Sequence, residues 1–178
     1  MVLSEHTVFA ALKLFRRCWG YISQRELWKG RNEVNAKKIS DLPLIRTSFV
    51  DYSRSLQIIA HFIQVTREQV VSCIKHDKFT NYVVEAACIS KFVGTSFAVD
   101  CTSVLRKTMG SHSLYADSWL GISSFICNAT CAAEGDNTIM ELKVVQDLFR
   151  GMLIFLLIFL LIFLFIFLLI FLLSNFQI

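Results

Sequence analysis

The chain has 178 residues, 18 Lys and Arg against 14 Asp and Glu, a formal net charge of +4, and 54% apolar residues. A charge this small excludes a polyelectrolyte; it permits nucleic acid or an acidic membrane surface as partner and selects neither. The apolar excess has one source, since residues 152–173 are all Met, Leu, Ile or Phe and the remainder is roughly 47% apolar, an ordinary globular level.

Ser4 to Trp28 is expected to form an amphipathic helix, with Val8, Leu12, Phe15 and Trp19 on one side and Arg16, Arg17 and Gln24 opposite. A polar turn, Gly30 to Asp41, follows. Pro43 then sits where a first helical turn accepts proline, with Asp41 as the expected cap. Ile45, Phe49, Tyr52, Leu56, Ile59, Phe62 or Ile63, Val70 and Ile74 continue as a long helical stripe. Near Phe79 the pattern changes. Tyr82 to Val84 and Lys91 to Leu105 are rich in β-branched and aromatic residues, and Phe97, Val99 and Cys101 alternate with Ala98 and Asp100, which predicts a strand. Gly121 to Cys127 is a second expected strand. A loop through Glu134, Gly135, Asp136 and Asn137 leads into a helix over Thr138 to Arg150, with Leu142, Val145 and Leu148 or Phe149 on one face. The fold class expected is therefore α+β: a helical region over 1–78, a mixed strand and helix segment over 79–151, a membrane helix over 152–173 and a polar tail over 174–178.

The run Met152 to Leu173 holds about 22 uninterrupted apolar residues, about 33 Å of helix against a hydrocarbon core of about 30 Å. Its summed insertion preference is of order −10 kcal/mol, with nothing polar to oppose it. Lys143 and Arg150 precede the run and no charged side chain follows it, so the N-terminal part is expected in the cytoplasm. With five residues after it, a tail-anchored geometry is expected. The N-terminal apolar stretch is interrupted by Lys13 and preceded by Glu5, unlike a signal peptide. The repeated Leu-Ile-Phe-Leu pattern carries no small-residue stripe and no ionisable group, so it specifies neither a helix-packing face nor a transport role.

Six cysteines at 18, 73, 88, 101, 127 and 131 form no C-x-x-C pair, and reduced, mostly buried thiols in a cytosol-like compartment are expected. The sequon Asn128-Ala129-Thr130 matters only on a lumenal side. The basic residues Lys13, Arg16, Arg17, Arg25, Lys29, Arg31, Lys37 and Lys38 read as a solvated face. Phosphate-loop, dinucleotide, zinc-protease and nucleophile-elbow motifs are missing from the sequence.

Three stretches together carry a family resemblance. Glu26–Val34 (ELWKGRNEV) looks like the W-K-x-R-N segment upstream of the ribonuclease H-like domain in plant non-LTR retroelement proteins. Phe97–Leu105 (FAVDCTSVL) is similar to that domain's first strand, and Met140–Arg150 (MELKVVQDLFR) resembles its first helix. The resemblance implies cleavage of the RNA strand of a hybrid by two magnesium ions. It assigns Asp100 as the strand carboxylate and Glu141 as the helix carboxylate, both metal ligands and catalytic. This sequence departs from the family at Cys101, which replaces a glycine, and the third carboxylate would fall inside the apolar run. Two carboxylates do not hold two divalent ions, so the resemblance implies an inactive, truncated retroelement-derived segment without bound magnesium, with nucleic acid as a partner. Without the resemblance, Asp100 reads as a strand-end carboxylate and Glu141 as a charge favoured near a helix N-terminus. The alternative function is a tail-anchored membrane protein whose helical cytosolic part binds a protein partner.

Overall fold

The computed structural model describes residues 2–27, 37–113, 118–133 and 135–175. Among these residues five α-helices follow one another: α1 (Val2–Ile22), α2 (Pro43–His76), α3 (Asn81–Met109), α4 (Trp119–Ala132) and α5 (Asn137–Asn175). Single 3-10 turns lie at Ile39–Asp41 and Gly110–Ser113. Among the described residues the only extended pairing is an isolated antiparallel bridge, Glu26 to Lys38. The α+β expectation is therefore corrected to an all-helical fold. Both expected strands, around Phe97–Cys101 and Gly121–Cys127, lie within α3 and α4.

The start and stop signals of these helices are local. Pro43 occupies the first turn of α2, and Leu42 rather than Asp41 is its N-cap. Asp41 instead accepts a hydrogen bond from the Lys38 backbone N–H at 2.9 Å, which closes the preceding 3-10 turn. α2 ends where Asp77 adopts a left-handed conformation, φ 48°, and the Lys78 N–H donates back to the Cys73 carbonyl. The Thr80 hydroxyl caps α3 by accepting from the Val83 N–H, and the Ser118 hydroxyl caps α4 by accepting from the Gly121 N–H. α1 stops at Ile22, short of the expected Trp28. Trp28, Gly30 to Ala36 of the expected polar turn, Glu134 and most of the W-K-x-R-N segment lie outside the described residues.

Residues up to Glu141 form one compact unit. In it α3 packs against α1, α2 and α4, while α1 also contacts α2 and α4, a four-helix arrangement. α1 contributes Val8, Ala11, Phe15, Cys18 and Ile22 to the core, at helical spacing. α2 contributes Phe49, Leu56 and Ile63, seven residues apart, so one stripe stays on one side through four turns. Aromatic rings tie these helices together: Phe15 meets Phe49 edge-on at 5.2 Å, and Tyr52 stacks on Phe97 of α3 at 5.5 Å.

α3 is central because its buried side is small. Ala86, Ser90, Gly94, Thr95, Ala98, Cys101 and Thr102 recur every three or four residues and are all buried. At Gly94 a Cβ would lie 2.9 Å from Ile63 Cδ1 and 3.3 Å from Val8 Cγ2, so α1 and α2 approach α3 closely there. The buried hydroxyls mostly bond to the preceding turn, as Thr95 does to the Lys91 carbonyl at 2.8 Å and Thr66 to the Phe62 carbonyl at 2.8 Å.

The second unit runs from Leu142. Lys143 pairs with Asp147 at 2.8 Å one helical turn away. From Met152 to Phe167 every side chain is exposed.

Candidate functional site

Asp100 lies in the middle of α3 and Glu141 in the second turn of α5, and both are exposed on helices. No sheet among the described residues places them on adjacent elements, and none of their described neighbours bonds to them. Among the described residues no group of three or more His, Cys, Asp or Glu side chains is arranged to hold a metal ion. The fold that gave those two carboxylates their assigned roles is thus not the fold of this chain.

The structure draws attention instead to Lys91, which sequence reading had placed in a strand-like stretch. It is the only charged residue between Glu85 and Asp100, a visible signal that a cation sits among small and apolar neighbours. Only 2% of its surface is exposed. Its ammonium donates to the Cys131 carbonyl at 2.6 Å, the Gly135 carbonyl at 2.5 Å and Asn137 Oδ1 at 2.5 Å. Burying an ammonium is costly unless it is held by strong acceptors, and three oxygens supply that here. Asn137 in turn donates to the Thr95 and Ser96 hydroxyls, each at 2.9 Å. One cation on α3 thereby fixes the end of α4, the turn at Gly135 and the first residue of α5. Asp136 starts α5 by accepting from the Thr138 N–H at 2.8 Å, and that bond holds its carboxyl below the ordinary range. This node is a structural clamp: every oxygen it engages belongs to the chain itself.

The cysteines are free thiols. Cys18, Cys101 and Cys127 are buried, and burial pushes Cys18 up to about 12 and Cys127 up to about 11. Burial raises Cys101 as well. None of the three has thiolate character at neutral pH, which suits packing and not nucleophilic catalysis.

Three basic side chains of the N-terminal half are engaged. Arg17 covers the Trp119 ring at 4.5 Å, Arg25 donates to the Met109 carbonyl at 3.3 Å, and Arg67 pairs with Glu5 at 3.1 Å. Lys29 and Arg31 lie outside the described residues.

Among the described residues two helices are long and apolar enough to cross a membrane, α3 and α5. The apolar window of α3 is partly buried within the bundle, whereas Met152 to Phe167 of α5 has no protein cover in its own unit.

The fold defines a four-helix bundle carrying an apolar helix. No protein-family model matches the chain, and no curated protein matches it. Among solved structures it is similar to an acyl-CoA dehydrogenase from Geobacillus kaustophilus, with a TM-score of 0.63 and 14% sequence identity. The likeness covers 83% of this chain and 35% of that one, so the chain corresponds to about a third of the dehydrogenase's length. At this identity it is a likeness of fold.

Proposed function

We propose that the chain is a membrane-anchored helical bundle of acyl-CoA dehydrogenase type, with residues 2–141 on the cytosolic face and Met152–Leu173 crossing the bilayer once. The observation that carries the enzyme-type reading is the fold likeness over 83% of the chain. Because that likeness spans only 35% of the dehydrogenase, turnover is proposed for the bundle together with polypeptide equivalent to the rest, in the same chain or in a partner. The anchoring part is supported by an uninterrupted apolar helix whose described side chains are all exposed. Orientation is supported by Lys143 and Arg150 ahead of the run.

Full-length chain reconstituted in nanodiscs is expected to bind an acyl-CoA saturably in calorimetry; heats identical to those of empty nanodiscs would sink the acyl-CoA reading. Alkaline carbonate tests the anchor separately, since release of the chain into the supernatant is incompatible with a spanning helix. The Asn128 sequon reports the side: an endoglycosidase-sensitive mass shift would place the bundle in a lumen and reverse the orientation. Magnesium-dependent cleavage of an RNA–DNA hybrid has no part in this reading, and cleavage abolished by Asp100→Asn would overturn it.

A further inference from the structure

Between α1 and α2 lies a cavity of about 490 Å3, within the size range of small-molecule sites, roughly 300–1,000 Å3. Its floor is aromatic, formed by Phe15, Trp19 and Phe49. The two phenylalanines are 3% and 5% exposed, whereas Trp19 is 38% exposed, so the indole supplies most of the accessible ring surface. Trp19 is held against Phe49 with ring centroids 5.5 Å apart. The polar lining of the cavity has one arginine from each helix, Arg16 and Arg54, together with Ser53 and Gln57 of α2.

These two arginines differ from three others of the N-terminal half. Arg17, Arg25 and Arg67 each engage a ring, a carbonyl or a carboxylate of the chain. Among the described residues no carboxylate pairs with Arg16 or Arg54, and Asp51, the carboxylate nearest Arg54 along α2, does not line the cavity. Two exposed guanidiniums therefore face an open ring surface with no internal anion to neutralise them. Guanidinium forks bind carboxylate and phosphate oxygens in pairs, and an indole face stacks on a planar ring.

We propose that this cavity binds a small aromatic anion, a planar ring bearing a carboxylate or a phosphate, with the ring on Trp19 and the anionic head held by Arg16 and Arg54. It stands on the cavity alone and does not depend on the acyl-CoA reading. The test uses full-length chain in nanodiscs, titrated calorimetrically with 1-naphthyl phosphate, 1-naphthoate and the neutral 1-naphthylmethanol, against protein-free nanodiscs. At least one anion is expected to bind saturably, at one site per chain, and at least about 10-fold more tightly than the alcohol. Arg16→Gln and Arg54→Gln are each expected to weaken that anion about 10-fold or more and to leave the alcohol unchanged. Both side chains are exposed, so the variants should keep the helical circular dichroism of the parent. The tighter of the two anions identifies the head group. Equal affinity for alcohol and anions, an unchanged affinity in both variants, or no saturable binding would each overturn the proposal.

Discussion

Ser90 and Lys91 are neighbours on α3, both buried, and they meet the same difficulty in opposite ways. Lys91 finds three oxygens, whereas the Ser90 hydroxyl has no hydrogen-bond partner among the described residues. An unsatisfied buried hydroxyl costs on the order of 1 kcal/mol or more, so Ser90→Ala is expected to raise stability by about 1 kcal/mol. Lys91→Met removes the donor to three part-buried oxygens and is expected to lower it by about 1–3 kcal/mol. Urea unfolding followed by tryptophan fluorescence measures both. The thiols give a pH dependence with a definite sign. Burial raises Cys18 from 9.0 to about 12 and Cys127 from 9.0 to about 11, so the neutral thiols' contribution is complete below pH 9. It is lost progressively as pH rises through 11 and 12, because the unfolded chain releases those protons first. Native protein at pH 8 is expected to show slow disulfide-exchange labelling at Cys18, Cys101 and Cys127, with Cys73, Cys88 and Cys131 labelled faster; equal rates at all six would contradict the burial.

At the scale of elements, α3 explains both what the sequence disclosed and what it concealed. α1, α2 and the helical start at Thr138 carry large apolar residues at three- and four-residue spacing, and their identity as helices was legible from that period alone. In α3 the buried face is Ala, Ser, Gly, Thr and Cys, which a search for large apolar residues passes over. What remained visible was Phe97, Val99 and Cys101, an apparent alternation of period two. Of these, Phe97 and Val99 are only partly buried, and Cys101 belongs to the small-residue side. α4 misled in the same way, since Leu120, Ser124 and Cys127 bury one face while Ile122, Phe125 and Ile126 stay exposed. Close packing of α3 supplies the check. Gly94→Leu would drive a large side chain against Ile63 and Val8 and is expected to cost about 1–3 kcal/mol, readable as a lower urea midpoint. An unchanged midpoint would mean that α1 and α2 do not approach α3 as described.

At the scale of the molecule, the apolar run was legible in composition, while the clamp was not. Asp100 and Glu141 were singled out by likeness to short motifs, and motif likeness does not register what surrounds a side chain in space. Lys91, Gly135 and Asn137 are unremarkable as a pattern, and only the fold brings them together. That clamp also has a consequence for biosynthesis. Its most distant partner lies 46 residues beyond Lys91 in the chain. At about 5–20 residues per second, translation leaves the Lys91 ammonium without Asn137 for roughly 2–9 s after Lys91 itself emerges. During that interval α1, α2 and α3 have no means of burying it well. Ribosome-bound chains stalled before Cys131 emerges are therefore expected to let an amine-acylating reagent reach Lys91, and chains stalled beyond Asn137 to protect it. The bundle closes late, when the last of those oxygens arrives.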